Sequence, residues 1–296
     1  MDAKSPSIKL NSGVEMPALG LGVFQSPPEQ TLGAVETALR SGYRLIDTAA
    51  AYSNEQQVGE GIRRSGLERS EVFVTTKLWI SDYGYDRALH GFERSLRALG
   101  LDYVDLYLLH QPVPTEFDGT VDAYRAAEKL LADKRVRAIG VSNFSAKHIA
   151  DLMQTATVIP AVNQVEVHPF FAQPELRAEH RRRGIVTQAW SPIGGINRYR
   201  PGAPTGDPFS NPTIRALAET YRKTPAQVIL RWHLEHGVSP IPKSVKAERI
   251  AGNIDVFDFT LTRDEVAAID ALDNGVRSGP DPETLSLKTF NKVIED

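Results

Sequence analysis

Four side chains that can exchange protons lie at or near the ends of three successive apolar segments. Asp47 and Lys77 each end such a segment, His110 directly follows the third, and Tyr52 lies in the loop after Asp47. Alone, each residue has an ordinary structural interpretation, such as a helix cap, a packed ring or a solvated strand end. A buried charge is costly unless it is paired with another group. Asp47, Lys77 and His110 each come at the end of a buried strand, so their positions favour a site in which they interact.

These residue types suit the protonation of an oxygen that becomes negatively charged. A tyrosine has an ordinary pKa of about 10, so Tyr52 can donate a proton at neutral pH with little driving force. An ammonium about 4 Å away favours the phenolate by up to roughly 4 kcal/mol at an effective dielectric of 20, and we therefore expect Lys77 to lower the pKa of Tyr52. Asp47 would keep Lys77 charged, and His110 would orient the oxygen. A carbonyl that receives hydride fits this chemistry.

The elements that must position these residues alternate between short apolar strands and amphipathic helices. Strands are predicted at Ala18–Leu21, Leu45–Asp47, Val72–Lys77, Val104–Leu109, Ala138–Val141, Ala161–Val165, Val186–Trp190 and Val238–Ile241. Helices are predicted at Glu29–Ser41, Glu55–Ser65, Tyr85–Leu99, Val121–Asp133, Ala146–Gln154, Gln173–Arg183 and Asn211–Glu235, the last broken at Thr224-Pro225. This alternation is typical of an α/β protein with a (β/α)8 TIM barrel, whose reacting groups stand at the carboxyl ends of the strands.

An open dinucleotide-binding sheet is the alternative architecture. It requires G-x-G-x-x-G after the first strand, and the segment from Gly20 to Gln25 lacks the third glycine. Outside the barrel, Asn11-Ser12-Gly13 predicts a short N-terminal β-hairpin, and Ser191–Ser210 predicts a long loop after strand seven that serves as a lid or binding loop. The irregular tail after Asp273 is expected to close over the same face. We predict a single domain over residues 1–296.

The composition excludes several classes of protein. The chain has 296 residues with 41% hydrophobic content, enough for one core, and its net charge of -3 with scattered Lys and Arg argues against a nucleic-acid partner. It has no cysteine, which excludes disulfides, thiol nucleophiles and thiolate-bound metals. No apolar run reaches the length of a membrane helix, about 18 residues or more. We expect a cytoplasmic monomer without a metal or a membrane partner.

A hydride donor needs its own binding residues, and candidates follow strands five to eight. Ser142-Asn143 and Asn163-Gln164 would bring polar side chains to the barrel mouth, where they suit a carboxamide such as that of nicotinamide. Trp190 offers a flat face for stacking. Lys243 and Arg249 flank a predicted helix N-terminus, a position that favours anions such as phosphate.

Two motifs resemble the signatures of the aldo-keto reductase family. Gly42-Tyr43-Arg44-x-x-Asp47-Thr48-Ala49, with Glu55 and Gly59, is similar to the first signature, and Ile241-Pro242-Lys243-Ser244, with Arg249 and Asn253, is similar to the last. The resemblance covers almost the whole chain. It implies a (β/α)8 barrel and NADPH-dependent reduction of aldehydes and ketones, with Tyr52 as general acid aided by Asp47, Lys77 and His110.

The resemblance also implies roles for a wider set of residues. Cofactor contacts are expected from Gly22, Val23, Asp47, Ser142, Asn143, Gln164, Trp190, Ser191, Ile193, Lys243, Ser244, Val245, Arg249 and Asn253. The substrate, a small carbonyl compound, is expected to meet Phe24, Trp79, His110 and Gln111. Lys77-Leu78-Trp79 and the segment from Gly194 to Tyr199 are most similar to the bacterial branch that includes 2,5-diketogluconate reductases.

Three other functions compete with reduction. A non-catalytic barrel would bind and sense NADPH without turnover. A Schiff-base lyase would use Lys77 as nucleophile, which requires a neutral amine, whereas Asp47 should keep Lys77 charged. A metal-dependent hydrolase would need paired histidines, and neither His110 nor His168 has a second histidine close by in the sequence.

Overall fold

The computed structural model describes residues 5–194 and 207–295. The chain begins with the antiparallel hairpin of β1 (Ser7–Lys9) and β2 (Glu15–Pro17), which confirms the predicted hairpin. Leu10 and Met16 of this hairpin are buried in the same apolar cluster as residues of the central strands. The hairpin therefore covers one end of the strands and contributes to their core.

A closed barrel of parallel strands forms the centre of the protein. Within the described residues its eight strands are β3 (Leu21–Gly22), β4 (Leu45–Asp47), β5 (Phe73–Leu78), β6 (Val104–Leu109), β7 (Val136–Ser142), β8 (Val162–Glu166), β9 (Val186–Trp190) and β10 (Ser239–Pro240). Each strand pairs with the next along the chain. Gly22 forms a parallel bridge with Lys243, and the amide of Gly20 donates to the carbonyl of Pro240 over 3.1 Å, so the last strand returns to the first. The predicted (β/α)8 barrel is confirmed.

Helices connect and surround the strands. They are α1 (Pro28–Arg40), α2 (Glu55–Ser65), α3 (Tyr85–Leu99), α4 (Phe117–Ala132), α5 (Ala146–Leu152), α6 (Pro174–Arg183), α7 (Pro212–Tyr221), α8 (Pro225–Glu235), α9 (Ala247–Ile254) and α10 (Arg263–Asp270). The predicted break at Thr224-Pro225 is confirmed. The Thr224 hydroxyl accepts from the amide of Gln227, and Pro225 occupies the first helical position, where no amide hydrogen is needed.

The first barrel strand differs from its prediction. The apolar run predicts Ala18–Leu21, whereas the strand comprises Leu21–Gly22. A strand needs a partner for its hydrogen bonds, and β4 has three residues, of which Ile46 and Asp47 pair with β3. Hydrophobicity alone therefore placed the strand too early.

Two further segments border the carboxyl ends of the strands. Of the predicted loop Ser191–Ser210, residues 195–206 lie outside the described residues, and the described end contains a short 3-10 turn at Pro208–Ser210. The tail after α10 is irregular and returns to the barrel mouth, where Phe290 contacts Trp79, so the predicted closure by the tail is confirmed. No helix among the described residues is long and apolar enough to cross a membrane.

Candidate active site

A buried ion pair joins two neighbouring strands at the barrel mouth. The Lys77 Nζ donates to Asp47 Oδ1 over 2.7 Å and to the carbonyl of Thr48 over 2.9 Å, and both charged side chains are almost fully buried. Burial lowers the pKa of Lys77, and the charge of Asp47 opposes this shift. Burial likewise raises the pKa of Asp47 against the attraction of Lys77. Each group thus offsets the desolvation cost of the other.

Tyr52 lies directly beside this pair. It ends the 3-10 turn Ala50–Tyr52, and Lys77 Nζ is 3.5 Å from its hydroxyl oxygen. The pKa of Tyr52 is raised on balance, so the expectation of a lowered pKa was wrong. Removing the phenolate from water raises the pKa of Tyr52 well above its ordinary value, and the negative charge of Asp47 raises it further. Tyr52 therefore keeps its proton at neutral pH and has a hydrogen that it can donate.

His110 completes the set at the end of β6. Its ring is edge-on to Tyr52, with centroids 5.6 Å apart, and edge-on to Trp79, with centroids 5.1 Å apart. Burial, together with the positive charge of Lys77, holds the pKa of His110 well below its ordinary range. Its Nδ1 is buried and has no hydrogen-bond partner among the described residues. His110 is thus a neutral imidazole, which can donate one hydrogen bond without adding charge.

Asn143 connects His110 to the opposite wall of the mouth. It follows β7 with a φ of 66°, a left-handed conformation that asparagine tolerates better than most residues. Its Nδ2 donates to the carbonyl of His110 over 3.0 Å, and its Oδ1 accepts from Trp190 Nε1 over 2.8 Å. The neighbouring Ser142 Oγ donates to the carbonyl of Gln164 over 2.8 Å. The predicted residues Ser142, Asn143, Gln164 and Trp190 are therefore brought together.

The two amides of β8 face opposite sides of the barrel wall. Gln164 Nε2 points into the barrel and donates to Asp47 Oδ2 and to Gln188 Oε1, each over 2.7 Å. Asn163 contacts Phe144 and His180 instead, so the prediction that it presents its amide at the mouth was wrong. Successive side chains of a strand alternate between its faces, so both could not point inward. Sequence reasoning also missed Gln188, whose signal is a polar residue within an apolar strand.

Residues assigned to the far end of the cofactor lie around β3 and α9. A Cβ on Gly22 would stand 2.8 Å from the carbonyl oxygen of Ile241, so only glycine allows this close approach. Ser244 and Asn253 are buried, whereas Lys243 and Arg249 are exposed on either side of the first residue of α9. Among the described residues, neither of these two cations has an ion-pair partner. Two such cations beside the N-terminus of α9 form a place where an anionic group can bind.

The remaining residues assigned to the cofactor follow β3, β9 and β10 along the chain. The amide of Val23 donates to the carbonyl of Asp47 over 3.1 Å, which places β3 beside the ion pair. Ser191 follows Trp190 with a φ of 49°, and Ile193 and Val245 are half-buried. Their contacts with a cofactor stay predictions.

Aromatic rings and the tail form the side of the mouth predicted for the substrate. The Phe24 ring lies 5.1 Å from that of Tyr52, and Trp79 lies between His110 and Phe290. The half-buried Gln111 is held through its backbone by the Tyr83 hydroxyl, which donates to its carbonyl over 2.6 Å.

Lys292 ties the tail to this mouth and was missed by sequence reasoning. Its carbonyl accepts from Trp79 Nε1 over 2.8 Å, and its Nζ donates to the carbonyl of Ala51 over 2.6 Å and to Ser53 Oγ over 3.1 Å. Lys292 therefore holds both neighbours of Tyr52. No local pattern in the sequence signals a contact across so many residues.

Glu166 anchors the beginning of the same tail. It ends β8, is fully buried, and accepts from the amides of Ser278 and Gly279 over 2.8 and 3.0 Å. His168 Nε2 lies 3.1 Å from its Oε1. The signal in the sequence, an acid at the end of a predicted strand, is the same as that of Asp47. Glu166 shows that this signal finds buried acids whether or not they take part in chemistry.

The family of the protein follows from comparison with known sequences. A model of the aldo/keto reductase family matches residues 18–274. The chain belongs to the aldo/keto reductase family. Among its relatives, the morphine 6-dehydrogenase of Pseudomonas putida is 54% identical over 99% of this chain and 100% of its own length. The glyoxal reductase of Bacillus subtilis is 46% identical over 94% of this chain and 97% of its own.

Solved structures agree with this assignment. The aldo-keto reductase of Bombyx mori, crystallised in complex with NADP, superposes with a TM-score of 0.89 at 39% identity, covering 96% of this chain and 97% of that one. The barrel described above is therefore the barrel of an aldo-keto reductase. Its activity is NADP-dependent carbonyl reduction.

Proposed function

We propose that this aldo-keto reductase passes hydride from NADPH to the carbon of an aldehyde or ketone while Tyr52 donates a proton to the oxygen. One observation carries the assignment of the acid: a buried ammonium, Lys77, contacts both Asp47 and the Tyr52 hydroxyl. When bound, the nicotinamide supplies the hydride. The protein supplies orientation and the proton.

The charges around Tyr52 explain how a phenol with a raised pKa can still act. The oxygen of a carbonyl becomes strongly basic as hydride arrives, so its protonation does not need a strong acid. Lys77, at 3.5 Å, stabilises the negative charge that then grows on the Tyr52 oxygen. The neutral His110 would donate a hydrogen bond to the same carbonyl oxygen, and Asp47 keeps the Lys77 Nζ in place. Each group thus stabilises charge that develops during the reaction.

The cofactor would lie across the mouth from Trp190 to α9. Asn143, Ser142 and Gln164 surround the place for the carboxamide, and the Trp190 ring offers a stacking face. Lys243 and Arg249 would receive the phosphate that distinguishes NADPH from NADH, because a guanidinium and an ammonium suit a dianion.

The substitution Tyr52→Phe tests the assignment of the acid. General acid catalysis contributes about 10²- to 10⁴-fold, and we expect a loss of that size in carbonyl-dependent NADPH oxidation. Affinity for NADPH, measured by quenching of tryptophan fluorescence, should stay within about twofold, since Tyr52 is not one of the residues assigned to the cofactor. Tyr85→Phe, at an exposed tyrosine, is the matched control. Turnover retained by Tyr52→Phe would refute the role of Tyr52.

Two competing functions have distinct outcomes. Lys77 Nζ is fully buried and engaged by Asp47, Thr48 and Tyr52, which argues against a Schiff-base nucleophile. Trapping of a substrate adduct on Lys77 with borohydride would reverse that conclusion. Tight NADPH binding without turnover on any of a broad panel of aldehydes and ketones would instead indicate a sensing barrel.

The same panel of aldehydes and ketones can identify the class of the physiological substrate. The relatives named for morphine and glyoxal differ greatly in substrate size. We propose a panel of sugar-derived, aromatic and α-dicarbonyl compounds, with the resemblance to 2,5-diketogluconate reductases as the reason for the first group. The monomeric state, the cytoplasmic location and the single domain over residues 1–296 stay predictions.

A further inference from the structure

The side chain of Asn163, on β8, forms hydrogen bonds with the backbone that follows β7, where the backbone pairing of the two strands has ended. Strands β7 and β8 pair through Ser142 and Gln164, and Asn143 then turns away with its left-handed φ of 66°. Beyond this turn, Asn163 Nδ2 donates to the carbonyl of Phe144 over 2.8 Å, and Asn163 Oδ1 accepts from the Phe144 amide over 3.4 Å. One amide side chain therefore holds both polar groups of the Phe144 backbone.

The Phe144 backbone fixes the orientation of the Asn163 amide, and His180 lies beside the nitrogen of that amide. His180 is fully buried, its Nε2 is 2.9 Å from Asn163 Nδ2, and its Nδ1 is 2.8 Å from Thr187 Oγ1. Because Asn163 Nδ2 can only donate, His180 Nε2 must be the acceptor, and the ring hydrogen lies on Nδ1 and is donated to Thr187. Burial, with a smaller effect from Arg181, lowers the pKa of His180 to about 4, so the neutral ring is present at neutral pH.

This chain of contacts ends at the cofactor side of the mouth. Phe144 follows Asn143, whose side chain bridges the His110 carbonyl and Trp190 Nε1. We propose that His180 and Asn163 are positioning residues for the nicotinamide end of the site, because they act through the Phe144 backbone to hold Asn143 between His110 and Trp190. This inference rests on the proposed function, in which Asn143 meets the carboxamide. His180 itself lies on the helix side of the barrel wall and does not reach the mouth.

A matched pair of substitutions separates positioning from simple packing. In His180→Gln the side-chain oxygen can replace Nε2 as acceptor for Asn163, whereas His180→Asn can replace Nδ1 but is too short to reach Asn163. Both variants lose the ring. We expect His180→Gln to bind NADPH within about twofold of the unmodified protein and His180→Asn to bind it about fivefold more weakly, the effect of one lost hydrogen bond.

A second readout reports on Asn143 without any cofactor. The indole hydrogen of Trp190, bonded to Asn143, gives a proton NMR resonance that Trp190→Phe identifies. We expect this resonance to move upfield in His180→Asn and to stay in place in His180→Gln. The indole of Trp232, which donates to Asp270 over 2.8 Å, is the internal reference.

A double-mutant cycle with Asn143→Ala decides whether the effect runs through Asn143. If it does, His180→Asn weakens NADPH binding in the native background and has no further effect beside Asn143→Ala. Equal affinities for the Gln and Asn variants, an unmoved Trp190 resonance, or an effect that persists beside Asn143→Ala would each overturn the inference. Should His180→Asn not fold, the similarly sized Asn163→Leu removes the amide that holds the Phe144 backbone and carries the same expectation. Failure of the unmodified protein to bind NADPH would refute the proposed function instead, and the Trp190 resonance would still report on Asn143.

Discussion

The ion pair of Lys77 and Asp47 should show a large energetic coupling. At 2.7 Å and an effective dielectric of 20, the attraction between unit charges is about 6 kcal/mol. In Lys77→Met, Asp47 keeps Gln164 as a donor but remains a buried charge without a counter-ion. Removing one partner of a buried pair costs about 3–5 kcal/mol, and Asp47→Asn should cost a similar amount.

The double variant distinguishes pairing from loss of contacts. With both charges gone, neither is left alone in the barrel, so Asp47→Asn with Lys77→Met should lose less stability than the two single variants together, by about 2 kcal/mol. In a chain of this size 1 kcal/mol corresponds to about 2 °C in the melting temperature. We therefore expect each single variant to melt about 6–10 °C lower and the double variant to melt well above the additive value.

Thermal unfolding followed by circular dichroism measures this coupling. Lys147 and Asp151 provide the matched control, since they form an exposed pair at 2.5 Å on α5. Solvent screens such a pair, so its cycle should show a coupling too small to resolve. If the buried pair proved as additive as the exposed one, the electrostatic account of the site would be refuted. Loss of activity alone would not decide the question, because either substitution also removes a group beside Tyr52.

Three further predictions concern the cofactor, the tail and the response to acid. Arg249→Ala should weaken NADPH binding about tenfold or more and change NADH binding less than twofold. Arg215→Ala, at an exposed arginine of α7, is the control. Equal effects on both cofactors would contradict a contact with the 2′-phosphate. Lys292→Met should raise KM for carbonyl substrates several-fold and leave NADPH affinity unchanged, because Lys292 holds Ala51 and Ser53 on either side of Tyr52. Lys288→Met in the same tail is the control and should change neither quantity. Burial lowers the pKa of His180 to about 4 in the folded protein, whereas histidine in the unfolded chain has a pKa of about 6.5. The unfolded chain therefore binds a proton first as pH falls. The free energy of unfolding should be unaffected by His180 above pH about 6.5 and should fall by about 3 kcal/mol as pH falls towards about 4. His180→Gln should remove that part of the pH dependence of the melting temperature, and an unchanged slope would contradict it.

Much of the site was predictable because each contributing signal is local. Asp47, Lys77 and His110 were found because a polar residue directly after a buried strand is conspicuous, and parallel strands in a barrel all end at the same mouth. The order of strands and helices follows from hydrophobic periodicity in the same way. The break before Pro225 is equally local.

Other features depended on distances that no local pattern contains. The orientation of Asn163 depends on the face of β8 that it occupies, and the role of Lys292 depends on a tail that returns to the mouth after the last helix. The pKa of Tyr52 was predicted with the wrong sign because the argument counted one neighbouring charge, while the desolvation of the phenolate and the charge of Asp47 act in the opposite direction.

The sequence by itself was enough to predict the barrel, the resemblance to the family, and the grouping of Asp47, Tyr52, Lys77 and His110 at one mouth. These follow from residue types and their spacing along the chain, which set strand periodicity and the position of each strand end. Only the tertiary structure decided which amide of β8 faces the mouth, which hydrogen bonds fix Asn143, and in which direction burial shifts the pKa of Tyr52 and His110. Burial and hydrogen-bond direction are properties of the assembled surroundings, so they exist only after segments distant in sequence have come together.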